Sequence, residues 1–133
     1  MKALNPGAMP APFGDYSHGI AAGGVVATSG QLGLAADGTI PESVAQQAEI
    51  CFENIRAILN EAGTDIENVL RFSAFVTRRE HMAAYMQVRD RWVARLAVKP
   101  ASTLVIVSGF TRPEFLVEVE ALALLPDAAS AGE

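Results

Sequence analysis

Two carboxylates stand in an otherwise apolar stretch near the end of the chain. Glu118 and Glu120 interrupt the segment FLVEVEALAL, residues 115–124. Alternate residues of a strand share one face, so both side chains are predicted to lie on the same side of a sheet. Apolar surroundings raise the pKa of a carboxyl group, which suits a general acid or base. The alternative is a pair of interfacial ion-pair residues or a solvated edge strand, and the residues alone leave both possibilities open.

Other groups with chemical potential are few. His18 and His81 are the only histidines, and without clustered cysteines they give little support for a metal site; surface or capping roles are favoured. Cys51 falls on the apolar stripe of a predicted helix and is expected to be a small core residue. The sequence contains neither a G-x-S-x-G elbow nor a phosphate-binding glycine pattern. Hydrolase triads and nucleotide-binding loops are therefore not indicated.

The composition predicts one soluble cytoplasmic domain over residues 1–133. Half of the residues are hydrophobic, 19% are charged, and the net charge is −5. An acidic chain with no lysine or arginine run offers no electrostatic footprint for nucleic acid. No apolar run approaches the ~20 residues of a membrane span, and the N-terminus lacks a signal-peptide core. The single cysteine fits a reducing compartment.

Residue periodicity predicts two helices and six strands in the order β-β-β-α-β-α-β-β. The first helix begins after the N-cap Ser43, with Gln46 in capping-box spacing, and ends at Gly63. Gln47 is among the residues assigned to its polar side. The second helix is predicted over residues 80–97, before Pro100. Strands are predicted over residues 17–21, 25–29, 31–35, 69–77, 102–107 and 115–124, with a loosely held arm at 1–13 and a tail at 126–133.

Two amphipathic helices can cover only one face of a single sheet, which defines an α+β class. The strand residues are too apolar for the other face to meet water. Leu104–Val107 (LVIV) is one such run, and residues 115–124 form another. An oligomer that packs sheet against sheet is therefore expected.

Five segments in order resemble the RidA/YjgF family of reactive-intermediate deaminases: FGDYSHGI, VATSGQLGL, ENIRAILNEAGTDIENVLRFSAFVT, KPASTLVIV and FLVEVEALAL. The resemblance extends from about Ala11 to Leu125. It implies a chorismate-mutase-like subunit, with two helices on a mixed, mostly antiparallel sheet, in a homotrimer whose ligand clefts lie between subunits. It also implies cofactor-free hydrolysis of imine or enamine intermediates to keto acids and ammonia.

The resemblance also implies which residues line the cleft. Tyr16, Ser29 and Gly30 stand where the family lines it, and Glu118 matches the glutamate that orients or activates the attacking water. In the family segment P-A-R-S an arginine grips the substrate carboxylate; here that place is taken by Ser102. Leu104 replaces a frequent cysteine, and Met86 a helix asparagine. Asp15 and His18 also depart from the usual residues, which points to a changed rim.

The sequence leaves two functions to decide between. The first is a cofactor-free deaminase of shifted substrate range, acting on 2-imino or aminomuconate-type acids, in which Arg89 or Arg112 replaces the missing cation; for each arginine a plain surface position is the alternative. The second is a non-catalytic trimer that binds a small metabolite. The retained Glu118 and cleft residues support the first function. Ser102 and Leu104 motivate the second, because a serine cannot neutralise a carboxylate.

Overall fold

A computed structural model describes residues 1–126 of the chain. Its two helices are α1 (Val44–Ala62) and α2 (Met82–Val93), and short 3₁₀ segments lie at Ile66–Asn68 and Arg79–His81. The seven strands are β1 (Lys2–Leu4), β2 (Gly19–Ala22), β3 (Val25–Thr28), β4 (Gln31–Leu32), β5 (Val69–Val76), β6 (Ala101–Ile106) and β7 (Val117–Leu124). The two-helix α+β class predicted from the sequence is confirmed.

The strands form one mixed sheet in the order β1-β2-β3-β7-β5-β6, and β4 pairs with β7 beyond the end of β3. Only β5 and β6 run parallel, because the second helix crosses over between them; the other pairs are antiparallel. The long central strand β7 therefore pairs with three strands, β3, β4 and β5. Its side chains alternate between the helix-covered face and the open face of the sheet.

The helix α1 follows the predicted capping pattern. The Ser43 side chain accepts a hydrogen bond from the Gln46 N–H (3.3 Å), and Gly63 closes the helix at a left-handed φ of 97°. The helix packs Phe52 edge-to-face on Phe72 of β5, with ring centroids 5.0 Å apart. This aromatic contact ties α1 to the centre of the sheet and fixes the strand face that the helices cover.

The predicted loosely held arm at 1–13 is wrong at its start. Residues 2–4 form β1, which pairs with β2, and Leu4 is fully buried. The burial of Leu4 explains why these residues join the sheet, although the many Ala, Pro and Gly around them hid the signal. The predicted tail at 126–133 lies outside the described residues except for Pro126.

Other predicted bounds were too long. The strand over 31–35 shrinks to two residues, because the chain turns at Leu34, whose N–H donates to the Leu32 carbonyl. The second helix ends at Val93, where the Lys99 ammonium donates to the carbonyls of Val93, Ala94 and Leu96. These three hydrogen bonds cap the end of the helix, where the last carbonyls have no partner within the helix itself.

Gln47 was assigned to the polar side of α1, but its side chain is fully buried. Its amide donates to the carbonyls of Pro41 and Glu114, both at 2.8 Å, and accepts from the Leu116 N–H at 2.9 Å. One buried amide thus joins the start of α1 to the loop that leads into β7. The spacing Val44, Gln47, Cys51 places it on the inner stripe, so periodicity could have shown this.

The face of the sheet away from the helices remains open in the single chain. Val105, Leu122 and Leu124 lie on it and are each 40–47% exposed, and Arg71 and Glu120 share the face, as the strand registers show. No helix among residues 1–126 is both long and apolar enough to cross a membrane.

Candidate active site

A cleft of about 280 Å³ opens beside Glu118, between the segment 9–14 and the ends of β4 and β7. Its walls are mostly apolar, formed by Met9, Phe13, Leu32 and Leu34, among others. The polar side chains that reach it are those of Tyr16, His18, Gln31, Asn54, Thr111 and Glu118. No lysine or arginine of the described chain lines this cleft.

A break between β3 and β4 creates the space for the carboxylate. The Thr28 hydroxyl takes the place of a backbone partner and accepts the Ala121 N–H at 2.9 Å, so the chain leaves the ladder over Ser29 and Gly30. A Cβ at Gly30 would lie 2.6 Å from Cδ and 2.7 Å from Oε2 of Glu118. Only glycine allows the backbone to approach the carboxyl group this closely.

The electrostatics of the cleft favour the neutral form of its acid. Partial burial raises the pKa of Glu118, and the carboxylate of Glu120 on the same face raises it further. Cys51 lies behind this strand with its thiol donating to the Gln31 carbonyl at 3.1 Å, and burial raises the pKa of that thiol as well. Cys51 is buried in the core, as predicted, and Glu118 is therefore the titratable group with a perturbed pKa that also faces the cleft.

A buried histidine holds the segment 9–14 over the cleft. His18 was expected at the surface or in a cap, but it is only 9% exposed. Its Nε2 lies 2.7 Å from the Pro10 carbonyl, and its Nδ1 lies 3.4 Å from the Gln31 amide nitrogen. Because Nε2 faces a carbonyl oxygen and Nδ1 faces an amide N–H, we assign the donor role to Nε2 and the acceptor role to Nδ1. The histidine therefore anchors the cleft wall. The described residues contain no group of three or more potential metal ligands.

Tyr16 and Ser29 play different parts around the same cleft. The Tyr16 ring lines the opening, and its hydroxyl accepts the Phe13 N–H at 3.2 Å. The Ser29 hydroxyl instead donates to the Ser17 carbonyl at 2.7 Å, which braces the turn before Gly30. The structure thus brings Tyr16, Gly30 and Glu118 together, with Ser29 supporting them.

The remaining predicted site residues lie elsewhere in the chain. Ser102 and Arg89 line a second cleft of about 350 Å³, in which Arg89 Nη1 donates to Ser102 Oγ at 3.2 Å. Leu104 lies two residues after Ser102 on the same face of β6 and is half-buried. Met86 lies one helical turn before Arg89 on α2 and is exposed. Arg112 lines neither cleft. It is paired with Glu114 at 2.9 Å and lies over the Phe115 ring.

The side chains of Ser102 and Glu118 leave opposite faces of the sheet. Ser102 pairs with Phe72 and Glu118 pairs with Phe75 across the neighbouring strand β5. Positions three residues apart on a strand point to opposite sides, and Phe72 is buried beneath the helices. Within one chain the Ser102 and Glu118 side chains therefore point away from each other, and Arg89 donates to Ser102.

Sequence reasoning missed much of the cleft wall. Met9, Phe13 and Leu34 line it from loops, where no periodicity marks a buried residue, and Asn54 reaches it from the polar side of α1. The Pro10-Ala11-Pro12 run was the available signal, because two prolines restrict a loop and favour an extended wall.

Comparison with known proteins places the chain in a family. It belongs to the family described as endoribonuclease L-PSP, whose model matches residues 7–125, and which includes the RidA/YjgF proteins. A RutC family protein of Synechocystis is 33% identical over 129 residues, which cover 95% of this chain and 98% of that protein. The 2-iminobutanoate/2-iminopropanoate deaminase of Escherichia coli is 28% identical over 117 residues, covering 86% and 91%. The crystal structure of Escherichia coli TdcF with bound serine superposes with a TM-score of 0.87 at 28% identity, over 93% of this chain and 98% of that one.

Proposed function

We propose that this protein hydrolyses imine and enamine intermediates of small amino acids to keto acids and ammonia, without a cofactor. The observation that carries the proposal is the Glu118 carboxyl group, which is half-buried in an apolar cleft, packed on Gly30, and has a raised pKa. A carboxylate in such surroundings accepts a proton more readily than one in water. The relatives named as reactive-intermediate and 2-iminobutanoate deaminases support this class of reaction.

The chemistry requires one group that moves a proton in both directions. Glu118 takes a proton from water as the oxygen bonds to the carbon of the protonated imine, whose nitrogen thereby becomes a neutral amine. The same carboxyl group then gives that proton to the departing nitrogen and accepts the hydroxyl proton as the carbon–nitrogen bond breaks and the keto group forms; this last proton leaves with ammonia. The products are a keto acid and ammonia, and no oxidant or metal enters the balance. An enamine substrate is first protonated on carbon to give the imine.

The site is proposed to be shared between copies in a homotrimer. Val105, Leu122 and Leu124 leave an apolar surface on the open sheet face, which a second copy would cover. Since Glu118 and Ser102 leave opposite faces of one sheet, a ligand that touches both must lie between two subunits. We expect a trimer mass by light scattering, and a shift to monomer for Leu122→Asp, which places a charge on the apolar face.

The second candidate is a trimer that binds a metabolite without turning it over. The absence of lysine and arginine among the described residues of the Glu118 cleft favours this alternative, because a 2-imino acid needs a cation for its carboxylate. The family model's description names RNA cleavage, but a net charge of −5 does not favour a polyanionic substrate.

A substrate panel separates these functions. An L-amino-acid oxidase generates imines from a set of amino acids in the presence of purified protein, and the keto acid released is measured against the rate without protein; an aminomuconate is tested directly. Acceleration for at least one substrate is expected. If none is accelerated, while native mass spectrometry recovers an unchanged small molecule bound to the protein, the binding function replaces the enzyme.

A further inference from the structure

We propose that Arg89 and Ser102 form a carboxylate-binding subsite that takes the acid group of the substrate. The identity of the ligand rests on the proposed deaminase function, but the subsite itself rests on the second cleft. That cleft is lined by Arg89, Asp90, Val93, Lys99, Pro100 and Ser102.

Arg89 differs from the other arginine of its helix, Arg91, in how it is held. Its side chain is 22% exposed, whereas that of Arg91, two residues on, is 64% exposed. Its Nε and Nη2 lie 3.0 and 2.9 Å from Asp90 Oδ1, and its guanidinium carbon lies 6.0 Å from the centre of the Tyr85 ring. A planar group fixed by an acid and an aromatic face loses little freedom when it binds a ligand.

The Arg89 guanidinium keeps N–H donors that have no partner among the described residues. Asp90 accepts from Nε and Nη2, and Ser102 Oγ accepts from Nη1 at 3.2 Å. A guanidinium carries five N–H groups, so two remain for a ligand. Ser102 accepts this hydrogen bond and keeps its own O–H to donate. Two guanidinium N–H groups and one hydroxyl suit the oxygens of a carboxylate.

Lys99 contributes charge to the cleft but no free donor. Its ammonium donates to the carbonyls of Val93, Ala94 and Leu96, which uses all three of its N–H groups. The specificity of the subsite therefore falls on Arg89 and Ser102. The subsite also supplies what the Glu118 cleft lacks, because no lysine or arginine of the described chain lines that cleft. A neighbouring copy would bring the two together.

Binding of a stable product tests the subsite without requiring turnover. The dissociation constant of 2-oxobutanoate is measured by titration calorimetry for the wild type, Arg89→Ala, Arg89→Lys and Ser102→Ala, with Arg91→Ala as the matched control on the same helix. We expect Arg89→Ala to weaken binding roughly 30-fold or more, as for other truncated charge pairs. Arg89→Lys keeps the charge but loses the bidentate geometry and should recover part of the affinity. Ser102→Ala should cost roughly tenfold, the loss of one hydrogen bond to a charged group. Arg91→Ala should stay within about twofold of the wild type, as expected for an exposed pair.

The outcomes separate the subsite from the deaminase. Unchanged affinity in Arg89→Ala, no binding to the wild type, or equally tight binding of inorganic phosphate would overturn the carboxylate subsite. Binding that depends on Arg89 in a protein that deaminates nothing would support the subsite and reject the deaminase. Turnover with an unchanged KM in Arg89→Ala would support the deaminase and reject the subsite. Thermal unfolding of each variant checks its fold, and Arg89→Lys and Ser102→Ala carry the test if Arg89→Ala does not fold.

Discussion

Replacing Gly30 by alanine moves the carboxyl group of Glu118 without removing it. The added Cβ would lie 2.6 Å from Cδ, 2.7 Å from Oε2 and 2.9 Å from Cγ of Glu118. Carbon atoms in contact are separated by about 3.5–4.0 Å, so the carboxyl group must shift by about 1 Å. A misplacement of this size costs roughly 100-fold in rate when the displaced group takes part in the reaction.

The same change should cost little stability. The atoms that must move are at the free end of a flexible, half-buried side chain, so we expect a loss of about 1 kcal/mol, at the low end of overpacking effects. The assay measures kcat and KM for deamination together with urea unfolding of the same protein. Gly7→Ala is the matched control, because a Cβ there meets nothing within 4 Å. Full activity in a folded Gly30→Ala protein would refute the role assigned to the position of the Glu118 carboxyl group.

Three further predictions concern charge, the buried amide and the shared site. The carboxylate of Glu120 raises the pKa of Glu118. Glu120→Gln should therefore lower the pKa of Glu118 and move the acid limb of the kcat/KM–pH profile to lower pH. An acid limb that does not move would show that another group controls it. Gln47→Leu leaves two carbonyls and one N–H without their partner, and it should lower the free energy of unfolding by about 3 kcal/mol or more, while the exposed Gln46→Leu changes it little. For the proposed homotrimer, hybrids refolded from equal amounts of Glu118→Gln and Arg89→Ala chains should regain about one quarter of the wild-type activity, because in a closed ring one site in four pairs two intact residues from neighbouring copies. No recovery would place both residues in one subunit's site.

The regular elements could be predicted because their signals are local. The Ser43 cap, the apolar stripe through Phe52 and the Gly63 stop define α1 to within a residue. The alternation in residues 117–124 likewise gives β7 and places Glu118 and Glu120 on one face. Short elements were not predicted because their stability comes from contacts with distant parts of the chain. The strand β1, for example, depends on pairing with β2, which residues 2–4 do not reveal by themselves.

The site was only partly predictable for the same reason. The motif residues Tyr16, Gly30 and Glu118 meet in one cleft, but His18 acquires its buried role from Pro10 and Gln31, which only the folded chain brings beside it. The partnership of Arg89 with Ser102 spans α2 and β6, thirteen residues apart. Sequence spacing indicated Arg89 as a candidate cation, and the folded chain distinguishes it from Arg112, because Arg89 lines the second cleft and Arg112 lines neither cleft.

The most direct test of the central claim compares the wild type with Glu118→Gln in a competition between hydrolysis and trapping. An L-amino-acid oxidase supplies the imine, semicarbazide traps what is not hydrolysed, and the fall in semicarbazone formation reports the deaminase rate. We predict that the wild type suppresses semicarbazone formation and that Glu118→Gln, which keeps the shape of the side chain, loses at least about 100-fold of that activity. A Glu118→Gln protein as active as the wild type would contradict the assignment of the proton-transfer group to Glu118.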